Sequence, residues 1–320
     1  MKKVITFYYK NTYWGFYLLR PVARFYQFFL HKKYLSPQAF TKQRFKKKFG
    51  YPLDLDNPKT LNEKIHFLKL YYTHPLATQI ADKYAVRSFI QEKLGKDYLV
   101  PLAYTTTNPK NIIPENLPDY PCIIKTNHNS SGGIMIRDKN ANHNWAQIQS
   151  TLRWNLSENF YWDGRERQYK NIAPRIVVEK LLLDKSGNTP ADYKVHCFNG
   201  KVRMINVDIG RSTENHYRNW YNASWEREPY KWTSELMNDK ETNPSKEDVP
   251  KPENLDKIKE LSEFLSSGFP LLRVDWYINE GRLYFGELTF HHNGGFRPIV
   301  PTIWDNNLGS ELKLFNIKNP

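Results

Sequence analysis

Three ionisable residues in one short stretch carry the first hint of chemistry. In LLRVDWYINEGRLYFGELTF, Arg273, Asp275 and Glu287 sit in two runs rich in β-branched and aromatic residues, Leu271–Ile278 and Leu283–Phe290. Between them Asn279-Glu280-Gly281 is turn chemistry, and a three-residue loop ending in glycine predicts a β-hairpin with Ile278 opposite Arg282. Arg273 then faces Glu287, and Asp275 falls on the same face. Two carboxylates and a guanidinium among Leu272, Val274, Trp276 and Phe285 are costly to bury unless paired or bound to a cation. Two readings are open at this point. One is a structural Arg273–Glu287 pair with Asp275 on a solvated face. The other is a Mg²⁺ site, in which hard oxygens from neighbouring strands and phosphate oxygens share the ion while the arginine holds a transferring phosphoryl group.

A metal site of that kind needs a nucleotide site, and candidate elements precede the hairpin. A helix is predicted from Asp82, a good N-cap, through Val86, Phe89 and Ile90 to Leu94, with Gly95 closing it; Lys83 and Arg87 share one of its faces. Tyr120–Lys125 reads as a buried strand ending in lysine. It is followed by the small polar loop 126–133, TNHNSSGG, and by Ile134–Ile136, a second strand. Such a loop suits phosphate contact by backbone N–H groups, here Ser131, Gly132 and Gly133, with Lys125 as a point charge, or it is an ordinary hairpin loop. It is not a P-loop, since no Gly-Lys-Ser/Thr opens a helix. Arg175–Leu182 is a further strand, carrying Glu179 and Lys180 at its end, and Asp192–Phe198 and Lys201–Asp208 flank an Asn199-Gly200 hairpin turn. Thr60 and Glu63 form a capping box ahead of Leu61, Ile65, Leu68 and Tyr72 at helical spacing. Helices are also expected over Trp145–Trp154 and from Pro252 to Gly268, whereas Glu214–Pro250 reads as polar and Trp/Tyr-rich, with Asn243-Pro244-Ser245 as a surface loop.

The 320 residues carry a net charge of +14, and the first fifty hold twelve Lys or Arg and no Asp or Glu. Those cations alternate with aromatics from Phe7 to Phe29. Lys10, Arg20 and Arg24 interrupt any apolar core, which argues against a signal peptide, and no run is long enough to span a bilayer. The segment suits an anionic membrane surface, with a basic helix packed on the body as the alternative. Nucleic acid is disfavoured because no reading motif accompanies the charge. Mean hydropathy is -0.71. Cys122 and Cys197, both in apolar strands, read as inert core thiols in a reducing, cytoplasmic setting.

In order, the chain presents Asp-Lys on a helix, Ile-Ile-Lys with a Ser-Gly-Gly loop, Val-Val-Glu-Lys-Leu-Leu, Arg-Val-Asp, and Gly-Glu-Leu-Thr. This succession resembles the ATP-grasp superfamily, whose D-alanine–D-alanine ligases present the same elements in the same order. From Asn57 onward, lines such as Asn57-Pro58-Lys59-Thr60-Leu61-Asn62-Glu63-Lys64 and Phe198-Asn199-Gly200-Lys201 are similar to the TupA-like branch, associated with bacterial cell-surface polysaccharide synthesis. The resemblance implies an α/β (α+β) ATP-grasp fold of two lobes clasping ATP. It implies divisions at residues 1–50, 51–115, 116–182 (small lobe) and 183–320 (large lobe with the metal site). Lys83 and Lys125 match the phosphate-binding lysines. Glu179 would accept from the adenine amino group, with the backbone of Lys180 and Leu182 meeting the ring edge and Asp192 holding ribose. Asp275 and Glu287 match the Mg²⁺ carboxylates, and Arg273 the catalytic arginine. The ligases carry Asn where this chain has Thr289, a poorer metal ligand, and His292 and Asn293 are candidates to contact the acceptor.

The activity implied is an ATP- and Mg²⁺-dependent carboxylate–amine ligase. Its partners would be a uronic-acid sugar or polymer, an amino acid or amino alcohol, and the inner face of the cytoplasmic membrane. Two other classes stay open: a glycosyltransferase of the same pathway, using Trp162 and Trp220 to stack sugars, and a non-catalytic nucleotide-binding membrane-associated protein.

Overall fold

In the computed structural model, residues 2–33, 36–130, 132–210, 216–232 and 241–315 are described. Eleven strands are formed among them: β1 (Leu102–Thr106), β2 (Cys122–Thr126), β3 (Ile134–Ile136), β4 (Ile176–Lys180), β5 (Asp192–Phe198), β6 (Lys201–Ile209), β7 (Tyr217–Asn222), β8 (Lys231–Trp232), β9 (Leu271–Asn279), β10 (Arg282–Thr289) and β11 (Ile299–Val300). The chain divides into two compact units, residues 1–40, 78–87 and 100–182 in one, and 41–77, 88–99 and 183–320 in the other.

The first unit holds a four-stranded antiparallel sheet in the order β1-β4-β2-β3. Alternation decides its faces. Cys122, Ile124, Ile176 and Val178 pack with Ile112, Leu117 and Leu152 against the Trp145–Ser157 helix, so Ile123, Lys125, Val177 and Glu179 share the opposite face.

The second unit is built on a five-stranded antiparallel sheet, β10-β9-β5-β6-β7. One face carries Val195, Cys197, Leu272, Val274 and Trp276 and is covered by the Leu255–Ser266 helix, where the Trp276 indole donates to Ser262 Oγ at 2.9 Å. The other face carries the polar partners of these residues. Part of it is closed by a core of Leu61, Ile65 and Leu68 with Met204, Trp220, Trp232, Leu308 and Leu312. β7 is a correction to the sequence reading, which left Tyr217–Asn222 in a polar region without strands. Arg218 and Trp220 are 5% and 2% exposed there, because the neighbouring strand supplies Asp208 as a partner for the guanidinium.

The helix Leu61–Tyr71 starts as its sequence predicts: Glu63 N–H donates to Thr60 Oγ1 at 3.1 Å and Thr60 N–H to Glu63 Oε2 at 2.9 Å. Asp305 adds a second cap, accepting from Asn62 N–H and Nδ2. Replacing Thr60 by Ala removes one of these caps and is expected to cost about 1 kcal/mol in urea unfolding.

Candidate active site

The loop after β2 gathers the cations of the first unit. Asn127 is its hub: Nδ2 donates to Asp82 Oδ1 (2.8 Å) and Ala173 O (3.0 Å), Oδ1 accepts from Arg175 N–H (2.7 Å), and its carbonyl accepts from Lys83 N–H (3.0 Å). The Asp82-Lys83 turn is thereby tied to the end of the strand that carries Lys125. The helix predicted to begin at Asp82 runs from Val86, and Asp82 Oδ1 caps the turn that leads into it, accepting from the amides of Tyr84 and Ala85. Lys83 Nζ donates to Asn129 O at 2.5 Å. Lys125 Nζ lies 2.6 Å from Glu179 Oε2, and Arg87 reaches Glu179 Oε1 at 2.9 Å, so both carboxylate oxygens of Glu179 meet a cation. Lys180 N–H donates to Pro101 O and Leu181 N–H to Pro121 O, which fixes the strand end before Leu182. Gly132 and Gly133 close the loop, Gly133 against the Ile123 side chain. Ser131 lies outside the described residues.

In the second unit the Arg273–Asp275–Glu287 hairpin forms with a register that differs from expectation. The turn is Glu280-Gly281, both at positive φ (52° and 75°), so Arg282 pairs with Asn279. A bulge at Gly286 then shifts the pairing again, setting Glu287 opposite Asp275 and Thr289 opposite Arg273. A Cβ at Gly286 would lie 3.0 Å from the Tyr277 ring and 3.2 Å from Asp275 O, which is why glycine stands there. Each shift is one residue. Their sum of two keeps all three charged side chains on one face.

On that face a row of charge crosses the sheet. Arg273 donates to both oxygens of Asp275 at 2.6 and 2.8 Å and comes within 3.8 Å of Glu287 Oε2. Lys194 pairs with Asp192, lies 3.0 Å from Asp208 Oδ2 and 3.9 Å from Asp275 Oδ2. Arg218 grips Asp208 at 2.6 and 2.9 Å. Lys194, Asp208 and Arg218 were not singled out from the sequence; the signal was the alternation of charged residues along buried strands such as Asp192-Tyr193-Lys194. Burial would raise the Asp208 carboxyl, but Lys194 and Arg218 hold it well below its ordinary value. Burial pushes Asp275 up to about 6 against the pull of Arg273 and Lys194.

Behind Arg273, its third nitrogen lies 2.9 Å from His292 Nδ1. Burial, with His196 and Arg273 nearby, lowers the His292 pKa well below its usual value, so the ring is a neutral acceptor. Asn293 Nδ2 lies 3.1 Å from the other ring nitrogen. The loop they occupy is clamped by the Leu61–Tyr71 helix, as His66 Nε2 donates to Gly295 O and Lys69 Nζ to Gly294 O, both at 2.8 Å. His292 and Asn293 are thus brought to the arginine, as its supports. Trp220, by contrast, is buried against Trp232 and Tyr230 and has no face left for a sugar.

Among the described residues no group of three or more His, Cys, Asp or Glu forms a ready metal shell. Asp275 and Glu287 nevertheless oppose each other directly, and the buried Thr289 Oγ1 beside them has no hydrogen-bond partner. An all-oxygen donor set that includes this orphaned hydroxyl fits a hard divalent cation.

Residues 63–313, more than three-quarters of the chain, match the family described as TupA-like ATPgrasp. A search of curated proteins gave no match. Among solved structures, the chain is similar to D-alanine–D-alanine ligase from Bacillus anthracis (14% identity, TM-score 0.37, covering 80% of this chain and 66% of that one). It is similar also to D-alanine–D-alanine ligase from Helicobacter pylori (12%, 0.39, 76% and 60%). A third is the ATP-grasp ligase PsnB, solved with a phosphomimetic variant of its minimal precursor, Mg and ADP (12%, 0.39, 76% and 62%). The chain thus spans 60–66% of the length of these structures. By the extent of the family match, the chain is a member of the TupA-like ATP-grasp family.

Proposed function

We propose that the protein is an ATP- and Mg²⁺-dependent carboxylate–amine ligase. The observation that carries this reading is the direct opposition of Asp275 and Glu287 with Arg273 between them on one sheet face. In the reaction a carboxylate oxygen attacks the γ-phosphorus of ATP, the bond to ADP breaks, and an acyl phosphate forms. An amine nitrogen then attacks the acyl carbon, phosphate leaves with the bonding pair, and the nitrogen gives up a proton to yield the amide.

The work of the protein is positioning and charge neutralisation. Lys83 and Lys125 donate to phosphate oxygens, each now directed at an oxygen acceptor, Asn129 O and Glu179. Lys180 and Leu182 offer backbone to the adenine edge, and Asp192 meets the ribose. Glu179 accepts from the adenine amino group only by loosening its hold on Arg87 or Lys125. Arg273 stabilises charge on the phosphoryl group in flight, its plane set by Asp275 on one side and His292 on the other. Asp275, Glu287 and Thr289 would hold Mg²⁺, which supplies further neutralisation of phosphate charge. No protein nucleophile is required: both cysteines are buried, and burial pushes the Cys197 thiol up to about 12.

For the acceptors we take a uronic acid of a bacterial surface polysaccharide and an amino acid or small amino alcohol, joined at the inner face of the cytoplasmic membrane, where such precursors are lipid-linked. The test is a matrix of uronic acids against amines scored by ADP release. Release that needs both members of a pair is expected. Turnover that consumes a nucleotide sugar and yields no ADP would instead assign the chain to glycosyl transfer.

A further inference from the structure

The helix Tyr13–Lys33 carries an apolar stripe that stays exposed among the described residues. Trp14, Leu18, Val22, Phe25 and Phe29 recur at i, i+4, i+8, i+11 and i+15, and they are 73, 71, 65, 64 and 52% exposed. At 100° per residue these positions fall on one side of the helix, over about four turns. The opposite side is the attached one. Phe16 is 2% exposed, stacks on Tyr9 of the Lys2–Asn11 helix, and lies under the Arg20 guanidinium at 5.0 Å. That first helix in turn packs on Trp145–Ser157, whose Arg153 covers the Tyr13 ring at 4.8 Å. The stripe therefore faces outward from a helix whose other side is fixed to its unit.

An exposed apolar strip of this length marks a contact surface, and the surrounding charge selects what covers it. Residues 1–50 contain twelve Lys or Arg and no acidic residue. Arg24 is exposed, about 80° around the helix from Trp14 at the near border of the stripe, whereas Arg20 lies on the attached side over Phe16. Against a second copy of the same face these cations would repel; against lipid phosphates they are neutralised. Among the described residues no helix is long and apolar enough to cross a membrane. We propose that the helix Tyr13–Lys33 lies in the plane of an anionic bilayer surface, with Trp14, Leu18, Val22, Phe25 and Phe29 inserted between headgroups and Arg24 reaching lipid phosphates. This surface is independent of the ligase chemistry and stands or falls without it.

The experiment is co-sedimentation of the full chain with phosphatidylcholine vesicles and with vesicles of phosphatidylcholine and phosphatidylglycerol, at rising NaCl. Binding only to the anionic vesicles, weakened by salt, is expected. Arg24→Gln should lower partitioning about fivefold, and Trp14→Ser with Leu18→Ser and Phe25→Ser should abolish it, both with an unchanged melting temperature. Equal binding to neutral and anionic vesicles, or a bound fraction indifferent to both sets of substitutions, overturns the proposal. So does a chain that ignores both vesicles and elutes as a dimer, which would give the face to a second copy. Should the serine variant unfold, the Arg24 variant and the lipid dependence of the unsubstituted chain still decide.

Discussion

Replacing Glu287 by Gln is expected to lower ATP turnover by at least about 100-fold while leaving the melting temperature almost unchanged. The asymmetry follows from exposure. The Glu287 side chain is 28% exposed and Arg273 stands 3.8 Å away, so solvent screening limits the folding energy that rests on its charge. Arg273 keeps its bidentate hold on Asp275 in the variant. What is lost is one negative oxygen of the set proposed to hold Mg²⁺. ADP release and thermal melting, measured on the same preparation, check both halves. Turnover within twofold of the unsubstituted chain would remove Glu287 from the metal assignment.

Lys194→Met should act in the opposite sense, chiefly on stability. The ammonium lies among Asp192, Asp208 and Asp275, with side chains 2–7% exposed, and methionine would fill its volume without its charge. Leaving buried carboxylates with one fewer cation costs about 3–5 kcal/mol. Asp208→Asn in the same chain should recover part of that loss. The pH dependence has a definite sign. In the unsubstituted protein the Asp208 pKa is depressed, so its contribution is fully present above the unfolded value of about 4 and is lost as pH falls through the folded one. In Lys194→Met much of that contribution is already missing, so the stability gap between the two chains should narrow as the pH falls below about 4. Urea midpoints at a series of pH values measure this, and a gap that widens in acid would contradict the account.

Much of this architecture was legible in residue patterns. The capping box at Thr60, the strands around Asn199-Gly200 and the apolar runs of β2, β4 and β9 follow from local chemistry, and they formed where that chemistry put them. The hairpin register was not legible. It depends on whether Gly281 closes a two- or a three-residue loop and on a bulge at Gly286 that no local preference announces. The charged face was legible only in part. Arg273, Asp275 and Glu287 stood out because they are close in sequence, whereas Asp208 and Arg218 meet only through strand pairing across a loop. The strand Tyr217–Asn222 was hidden for the same reason: an arginine reads as exposed until its partner is known.

The clamp of His66 and Lys69 on the carbonyls of Gly295 and Gly294 bears on how this protein could be shortened. Those donors come from a stretch more than two hundred residues upstream, so residues 61–71 are structural masonry of the second unit even though they precede most of the first in the chain. A fragment trimmed to the later sequence would retain every carboxylate of the charged row yet lose the brace under His292. Dissection of the molecule has to respect that interleaving: a separable half would need both Thr41–Ala77 and Ser88–Leu99 joined to the C-terminal portion.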